Sequence, residues 1–440
     1  MDNKGKDILL SFVIPFYNSE ETLKNCINSI LLQKQSKFVE IVLINDGSTD
    51  KSIKVIKKIN SKNPNIILHS NKKNMGVSTS RNIGLKKAKG KYIIFLDSDD
   101  QITKNSLGKI IKIILQNKEN SFIFFNKFIS RIKSNTYFNH SIVKIKNTNN
   151  NINKLLINFT KQKNIYGNIY NYILNKKFLL NKKILFSKNV NFAEDQEFVA
   201  KILCFCKKFK FINNSFYIYN SGYGRLSSSM SLTSTKSCLE VIFNLIKLKK
   251  RLKEKNKKKY INTIIVKIFK QFIPRLLFLK EKDLLIISKY LKKNKNLLNE
   301  LDYYFGNKRV FFNKKISNYK KKLIDIRKIV SEDMIKNFKL KKNSKIFSFC
   351  YNYYSLAYAK ILRNKKHIFL GHLDNNHLLL NKNKTNEKII SPKKLVKRNK
   401  KYKNSVVIII TNQFKKNIRN ITDQLIKLGI PNKQILSKIF

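Results

Sequence analysis

No tryptophan, five prolines and twelve glycines are all that a chain of 440 residues carries of these three types, while Lys, Asn, Ile and Phe abound. An A/T-rich coding sequence yields that pattern without selection for any partner, so composition alone names none. The five cysteines (Cys26, Cys204, Cys206, Cys238 and Cys350) are an odd number, and no pair has zinc-ligand spacing with histidines nearby. A disulfide framework and a structural zinc are thereby excluded, and reduced, mostly buried thiols in a cytoplasmic protein are expected. No apolar run reaches ~18 residues, and polar residues 1–7 lead straight into a strand, so neither a membrane span nor a signal peptide is expected. Acidic residues are scarce too: 26 Asp+Glu against 92 Lys+Arg leave a net charge of +66. Coding bias accounts for most of the lysines. The shortage of acids remains, and it leaves open peripheral contact with an anionic membrane at its inner face.

What is present points to several cores. With 42% hydrophobic residues, a chain of this length is expected to form two or three domains, drawn here as 1–235, 236–339 and 340–440. In the first, short apolar runs at 10–15, 40–44, 66–69 and 92–96 alternate with amphipathic stretches at 20–32, 51–59 and 77–88. That alternation predicts an α/β layer with a largely parallel sheet. Farther on, a single strand is expected at 122–128 and a helix near 153–160. The middle region reads as helical, as at 260–273 and 284–291, with lysines on the polar face. In the last hundred residues, strands at 345–350, 367–370 and 405–410 and helices at 356–362 and 418–428 predict a small second α/β domain.

Ligands of parallel sheets sit beyond the carboxyl ends of strands. Three carboxylates, Asp97, Asp99 and Asp100, follow the run at 92–96 there. Such crowding of negative charge is unfavourable unless a cation shares the site. The plain alternative is a cap for a helix at 102–115. Asp46-Gly47-Ser48-Thr49-Asp50 likewise reads either as a turn with a helix cap or as a carboxylate that accepts hydrogen bonds from a nucleobase or ribose. Asn191-Phe192-Ala193-Glu194-Asp195 opens a helix, where a carboxylate is favoured as the anion. An ordinary acidic first turn is the plain alternative.

Four stretches in order carry a resemblance. Phe12-Val13-Ile14-Pro15-Phe16-Tyr17-Asn18, Ile44-Asn45-Asp46-Gly47-Ser48-Thr49-Asp50, Gly76-Val77-Ser78-Thr79-Ser80-Arg81-Asn82-Ile83-Gly84-Leu85 and Phe95-Leu96-Asp97-Ser98-Asp99-Asp100 together resemble glycosyltransferase family 2, of the GT-A fold. The resemblance implies that Pro15, Tyr17, Asn18, Glu20 and Asp46 line a nucleoside pocket, with Arg81 near the base and diphosphate. It also implies Asp97 toward the ribose with Ser98 beside it, and Asp99 on a divalent metal, Mn²⁺ or Mg²⁺. The stretch from Lys177 through Phe186 to Glu194-Asp195 resembles the family's path to its Glu-Asp motif. Asp195 is then the base of an inverting transfer, and Glu194 helps place the acceptor. Tyr217-Ile218-Tyr219-Asn220 and Arg225-Leu226-Ser227 resemble the segment that closes over the donor, with Arg225 forking onto diphosphate oxygens.

The implied activity is transfer from a nucleotide-diphosphate sugar to a hydroxyl of a glycan or lipid-linked acceptor, as in cell-surface polysaccharide synthesis. Two other classes compete. Nucleotidyl transfer to a sugar phosphate wants a glycine-rich loop after the first strand, where this chain has Pro15-Phe16-Tyr17-Asn18. Binding of nucleic acid through the +66 field needs no carboxylate cluster, so no specific nucleic-acid partner is expected. The C-terminal unit resembles a Rossmann-like appendage. Cys350-Tyr351-Asn352-Tyr353 stands where that fold places its glycine-rich turn, so no dinucleotide is expected there, whatever Asp374 suggests.

Overall fold

The computed structural model describes residues 8–60, 63–117, 119–132, 136–142, 150–161, 167–220 and 231–294, and short stretches between 345 and 439. The chain divides into two compact units, residues 1–229 with 233–271 and residues 230–232 with 272–440.

The first unit opens with β1 (Leu10–Phe16), α1 (Leu23–Leu31), β2 (Val39–Asn45), α2 (Ser52–Asn60), β3 (Ile66–Ser70), α3 (Val77–Lys87) and β4 (Tyr92–Phe95). Every residue of β1, β2 and β4 is buried. Continuous apolar runs are what strands covered on both faces require. β1 pairs in parallel with β2 on one side and β4 on the other, and β2 pairs with β3. Strand order therefore reverses at β1, and a crevice opens at the carboxyl ends of β1, β2 and β4. Pro15 is tolerated inside this central strand for a simple reason. The register of β1 with β4 ends at Val13 and Phe95, and the Val13 carbonyl accepts from the Leu96 N–H at 3.1 Å. The N–H that proline lacks falls on the same side, past the end of its neighbour.

Next come β5 (Gln101–Ile102), α4 (Ser106–Gln116), β6 (Phe122–Phe125), β7 (Lys127–Ile132), β8 (Thr136–Ser141) and α5 (Ile152–Lys161). They are followed by β9 (Tyr172–Asn175), α6 (Lys176–Asn181), α7 (Glu194–Phe205), β10 (Phe209–Ile212), β11 (Tyr217–Asn220), α8 (Leu232–Arg251) and α9 (Lys255–Phe278). The large sheet has the order β10-β6-β9-β4-β1-β2-β3, and β9 runs antiparallel to both neighbours, so it is mixed. A second sheet has the order β5-β11-β7-β8.

Three expectations are corrected here. The strand expected at 122–128 is two, because buried Asn171 donates its side-chain amide to the carbonyls of Phe125 (2.8 Å) and Lys127 (3.1 Å). The break at Asn126 sends β6 to the large sheet and β7 to the small one. The helix expected from residue 20 starts at Leu23, after a turn in which the Ser19 carbonyl accepts from Thr22 and Leu23. The helix expected from residue 102 starts at Ser106, with β5 intervening. Asp97, Asp99 and Asp100 are therefore not its cap.

In the second unit, α10 (Glu281–Lys293) precedes β12 (Lys345–Phe349), β13 (Ile368–Leu373), β14 (Ile389–Ile390), β15 (Val406–Asn412), α11 (Lys415–Lys427) and β16 (Ile435–Ile439). Its sheet, β14-β13-β12-β15-β16, is parallel throughout. The predicted strands and final helix are met. The stretch 350–355, Asp374 and most of the expected helix 356–362 lie outside the described residues. Cys26, Cys204, Cys206 and Cys238 are buried and form no disulfide; Cys350 is not among the described residues. No helix among the described residues is long and apolar enough to cross a membrane.

Candidate active site

The loops after β1 and β2 are stitched to each other. Asn18, at φ 48°, donates its N–H to Ser48 Oγ (3.0 Å) and accepts from the Thr49 N–H (2.8 Å). Glu20 donates its N–H to Asp50 Oδ2 (3.0 Å) and accepts from the Lys51 N–H (2.8 Å). Asp50 also accepts from the Ser52 N–H (3.0 Å), so the capping role falls to Asp50. Tyr17, beside this seam, is 46% exposed and offers an aromatic face at the crevice mouth.

Asp46 is buried, and its two oxygens gather the segment before α3. Oδ1 accepts from Asn71 Nδ2 and the Met75 N–H, both at 2.9 Å, and Oδ2 from the Gly76 N–H at 2.8 Å. Gly76 sits at φ 85°, where an added Cβ would lie 2.3 Å from Asn191 Oδ1. Only glycine permits both that backbone angle and that approach. This hinge sets the direction of α3 and hence of Arg81.

Arg81 is the centre of the site. Its side chain is 3% exposed; Nη2 donates to Asp97 Oδ1 at 2.9 Å, while Nη1 donates to Glu194 Oε1 at 3.0 Å and Asp195 Oδ1 at 2.6 Å. One planar fork thus collects the first acid after β4 and both acids at the start of α7. An aromatic platform supports it. Phe186 lies 5.2 Å from the guanidinium carbon and stacks on Phe198 at 3.9 Å, with Phe95 edge-on to both. Asn82 fixes the Phe186 backbone by a reciprocal pair of hydrogen bonds, 2.8 and 3.0 Å. The chain then enters α7 through Ala193, held at φ 61°.

Electrostatics departs from expectation at Asp195. The helix terminus and Arg81 both favour its anion. Burial outweighs them, helped by Glu194 and Asp97, and raises the group to about 8. Burial also raises Glu194, against the pull of Arg81. The guanidinium itself loses by burial but gains more from Asp195, Asp97 and Glu194, and is raised above its usual value.

The turn after β4 is closed by the Asp100 N–H to the Asp97 carbonyl (3.0 Å). Ser98 Oγ meets Ser19 Oγ at 2.9 Å, joining this turn to the β1 loop. Asp97, Ser98 and Asp99 are half-exposed, whereas Asp100 is buried. The structure therefore gathers Asp97, Glu194 and Asp195 onto Arg81, and places Tyr17, Asn18 and Glu20 just after β1 and Asp46 just after β2. Arg225 lies outside the described residues. Sequence reasoning missed the ion pairs of Arg81 with the three acids and the contacts of Asp100. The pairing signal was faint, since 113 and 114 residues separate Arg81 from its partners on α7.

Residues 11–183 match the family model described as glycosyl transferase family 2. That matched stretch lies within the first unit and is similar to a family 2 glycosyltransferase domain. An uncharacterized glycosyltransferase of Haemophilus influenzae is 46% identical over 109 residues, which are 25% of this chain and 43% of that protein. The chain thus matches less than half of that relative's length. The cholesterol galactosyltransferase of Borreliella burgdorferi is 28% identical over 254 residues, 54% of this chain and 67% of that protein. Among solved structures, S. aureus TarS 1-349 in complex with UDP superposes with a TM-score of 0.51 at 17% identity, covering 76% of this chain and 93% of that one. At that identity the likeness concerns the fold, which is GT-A.

Proposed function

We propose that this glycosyltransferase moves a sugar from a nucleotide diphosphate to an acceptor hydroxyl with inversion, and that Asp195 is its base. The observation that supports the proposal is the sharing of Arg81 by Asp97, which the resemblance puts toward the donor, with Glu194 and Asp195. A base must lie within reach of the hydroxyl proton while the donor's anomeric carbon lies beyond the oxygen. Three acids gathered on one guanidinium support the first condition, since the acid read as facing the ribose and the base then lie in one cluster. Arg81 keeps the Asp195 carboxylate oriented, Glu194 sits beside it to hold the acceptor, and the Phe186 platform keeps water from beneath. Burial favours the proton that Asp195 gains, so deprotonation of the attacking oxygen is assisted as the bond forms.

A divalent cation, Mn²⁺ or Mg²⁺, fits the residues present in one particular way. Asp97 Oδ1 is taken by Arg81, and both Asp100 oxygens accept protein donors. Among the described residues, no three His, Cys, Asp or Glu side chains converge to cage an ion. A hard cation that takes one or two carboxylates and completes its shell with phosphate oxygens and water suits such a set, and the half-exposed Asp99, which the family resemblance puts on the metal, would be the holding residue. When bound, it would neutralise charge on the departing diphosphate.

The likeness to a structure solved with UDP supports a UDP-linked donor as the first to try. The relative named for cholesterol supports a hydroxyl on a lipid among candidate acceptors, alongside glycans. With 92 Lys+Arg against 26 Asp+Glu, peripheral attachment to an anionic membrane is part of the proposal. The test is incubation with a panel of nucleotide sugars and Mn²⁺ or Mg²⁺, reading diphosphate release and the anomeric configuration of the product. Release by the protein with an inverted product supports the proposal; a retained configuration sinks the role given to Asp195.

A further inference from the structure

In sequence, Asp97, Asp99 and Asp100 form one carboxylate cluster, of which the resemblance gives Asp97 to the ribose and Asp99 to the metal. Asp100 is the one the proposed reaction leaves unused, and its surroundings differ from those of its neighbours. It is 1% exposed. Its Oδ2 accepts from the Tyr217 hydroxyl at 2.6 Å, and its Oδ1 accepts from the Asn220 N–H at 2.7 Å. Asn220 returns to the turn with its side-chain amide, which donates to the Asp99 carbonyl. The Tyr217 hydroxyl also lies 3.5 Å from the Asp97 N–H, which donates to it. Tyr217 is itself fully buried and stacked on Tyr170, with ring centroids 4.2 Å apart and planes 13° apart. Immediately past the turn, β5 pairs antiparallel with β11, Ile102 opposite Tyr217 and Gln101 opposite Ile218. One face of the carboxylate turn is thus saturated by the two ends of β11.

We propose that Asp100 is a positioning residue that locks β11 onto this turn and thereby aims Asp99, with Tyr217 and Asn220 as its partners. The inference rests on the role assigned above to Asp99. Chemistry favours a carboxylate at this position. An O–H and an N–H converge on it from one strand, and only an ionised carboxylate accepts both with charge-assisted bonds. An amide would turn an NH₂ toward one of them and leave a buried donor without an acceptor. With the backbone on both sides of Asp99 tied down, the Asp99 side chain meets a cation from a fixed base rather than after ordering a loop, which is the gain of preorganisation.

The test compares wild type with Asp100→Asn and Tyr217→Phe. The phenylalanine keeps the ring on Tyr170 and removes only the hydroxyl, so it decides the matter if the first variant fails to fold. Free Mn²⁺ is followed by its electron paramagnetic resonance signal as the protein is titrated in the presence of saturating UDP, and melting temperature is recorded alongside. Weakening of Mn²⁺ binding by about tenfold in Asp100→Asn and several-fold in Tyr217→Phe, with UDP binding in the absence of metal unchanged, is the expected result. A lowered melting temperature with undiminished Mn²⁺ affinity would make Asp100 merely structural and overturn the inference. If wild type with UDP takes up no Mn²⁺, the assignment of Asp99 fails first and the inference with it.

Discussion

At the scale of single residues, the site turns on the pair Arg81 and Asp195. A carboxylate raised to about 8 is largely protonated at neutral pH and cannot then act as a base. Since the active form is the deprotonated one, kcat/KM is expected to climb about tenfold per pH unit on the acid side, bending to a plateau near the shifted value. A profile flat between roughly pH 6 and 9 would contradict the assignment. The resemblance gave Arg81 to the nucleobase and diphosphate, whereas its bonds run to Asp97, Glu194 and Asp195. A lysine cannot reproduce a fork of three bonds. Arg81→Lys is therefore expected to cost about a hundredfold in kcat through misplacement of Asp195. Affinity for UDP, measured by calorimetry, should change little; a large loss of UDP affinity at near-normal kcat would return Arg81 to the donor.

At the scale of elements, the strands that carry the site were legible because each is a continuous apolar run ended by polar residues. That pattern follows from burial on both faces and needs no knowledge of neighbours. The break between β6 and β7 was not legible, since it depends on Asn171, 44 to 46 residues farther on, inserting its amide between two carbonyls. Likewise the start of α4 at Ser106 reflects β5 being drawn into a sheet with β11, a pairing of Ile102 with Tyr217 and Gln101 with Ile218, far apart in sequence, that local periodicity does not contain. The contact of α3 with β1 offers a direct check on how the site is seated. A Cβ at Gly84 would lie 2.2 Å from Val13 Cγ1, so Gly84→Ala forces helix and strand apart. Overpacking of this kind costs roughly 1–3 kcal/mol, to be read as a lower urea midpoint. Unchanged stability would mean that α3 does not rest so closely on β1.

At the scale of the whole molecule, much of the candidate site was foreshadowed by motif order alone, because parallel strands with short connections bring their carboxyl ends to one edge. What the order could not supply was the ion pairing within the crevice, in which a single arginine ties Asp97, after β4, to Glu194 and Asp195 on α7. The most direct test of the central claim is diphosphate release from a nucleotide sugar by wild type and by Asp195→Asn, with UDP affinity measured on the same samples. The expected outcome is turnover by wild type and a fall of at least ~10³-fold in the variant, the range for loss of a positioned base, while UDP binds both alike. Equal turnover by the two proteins would contradict the account.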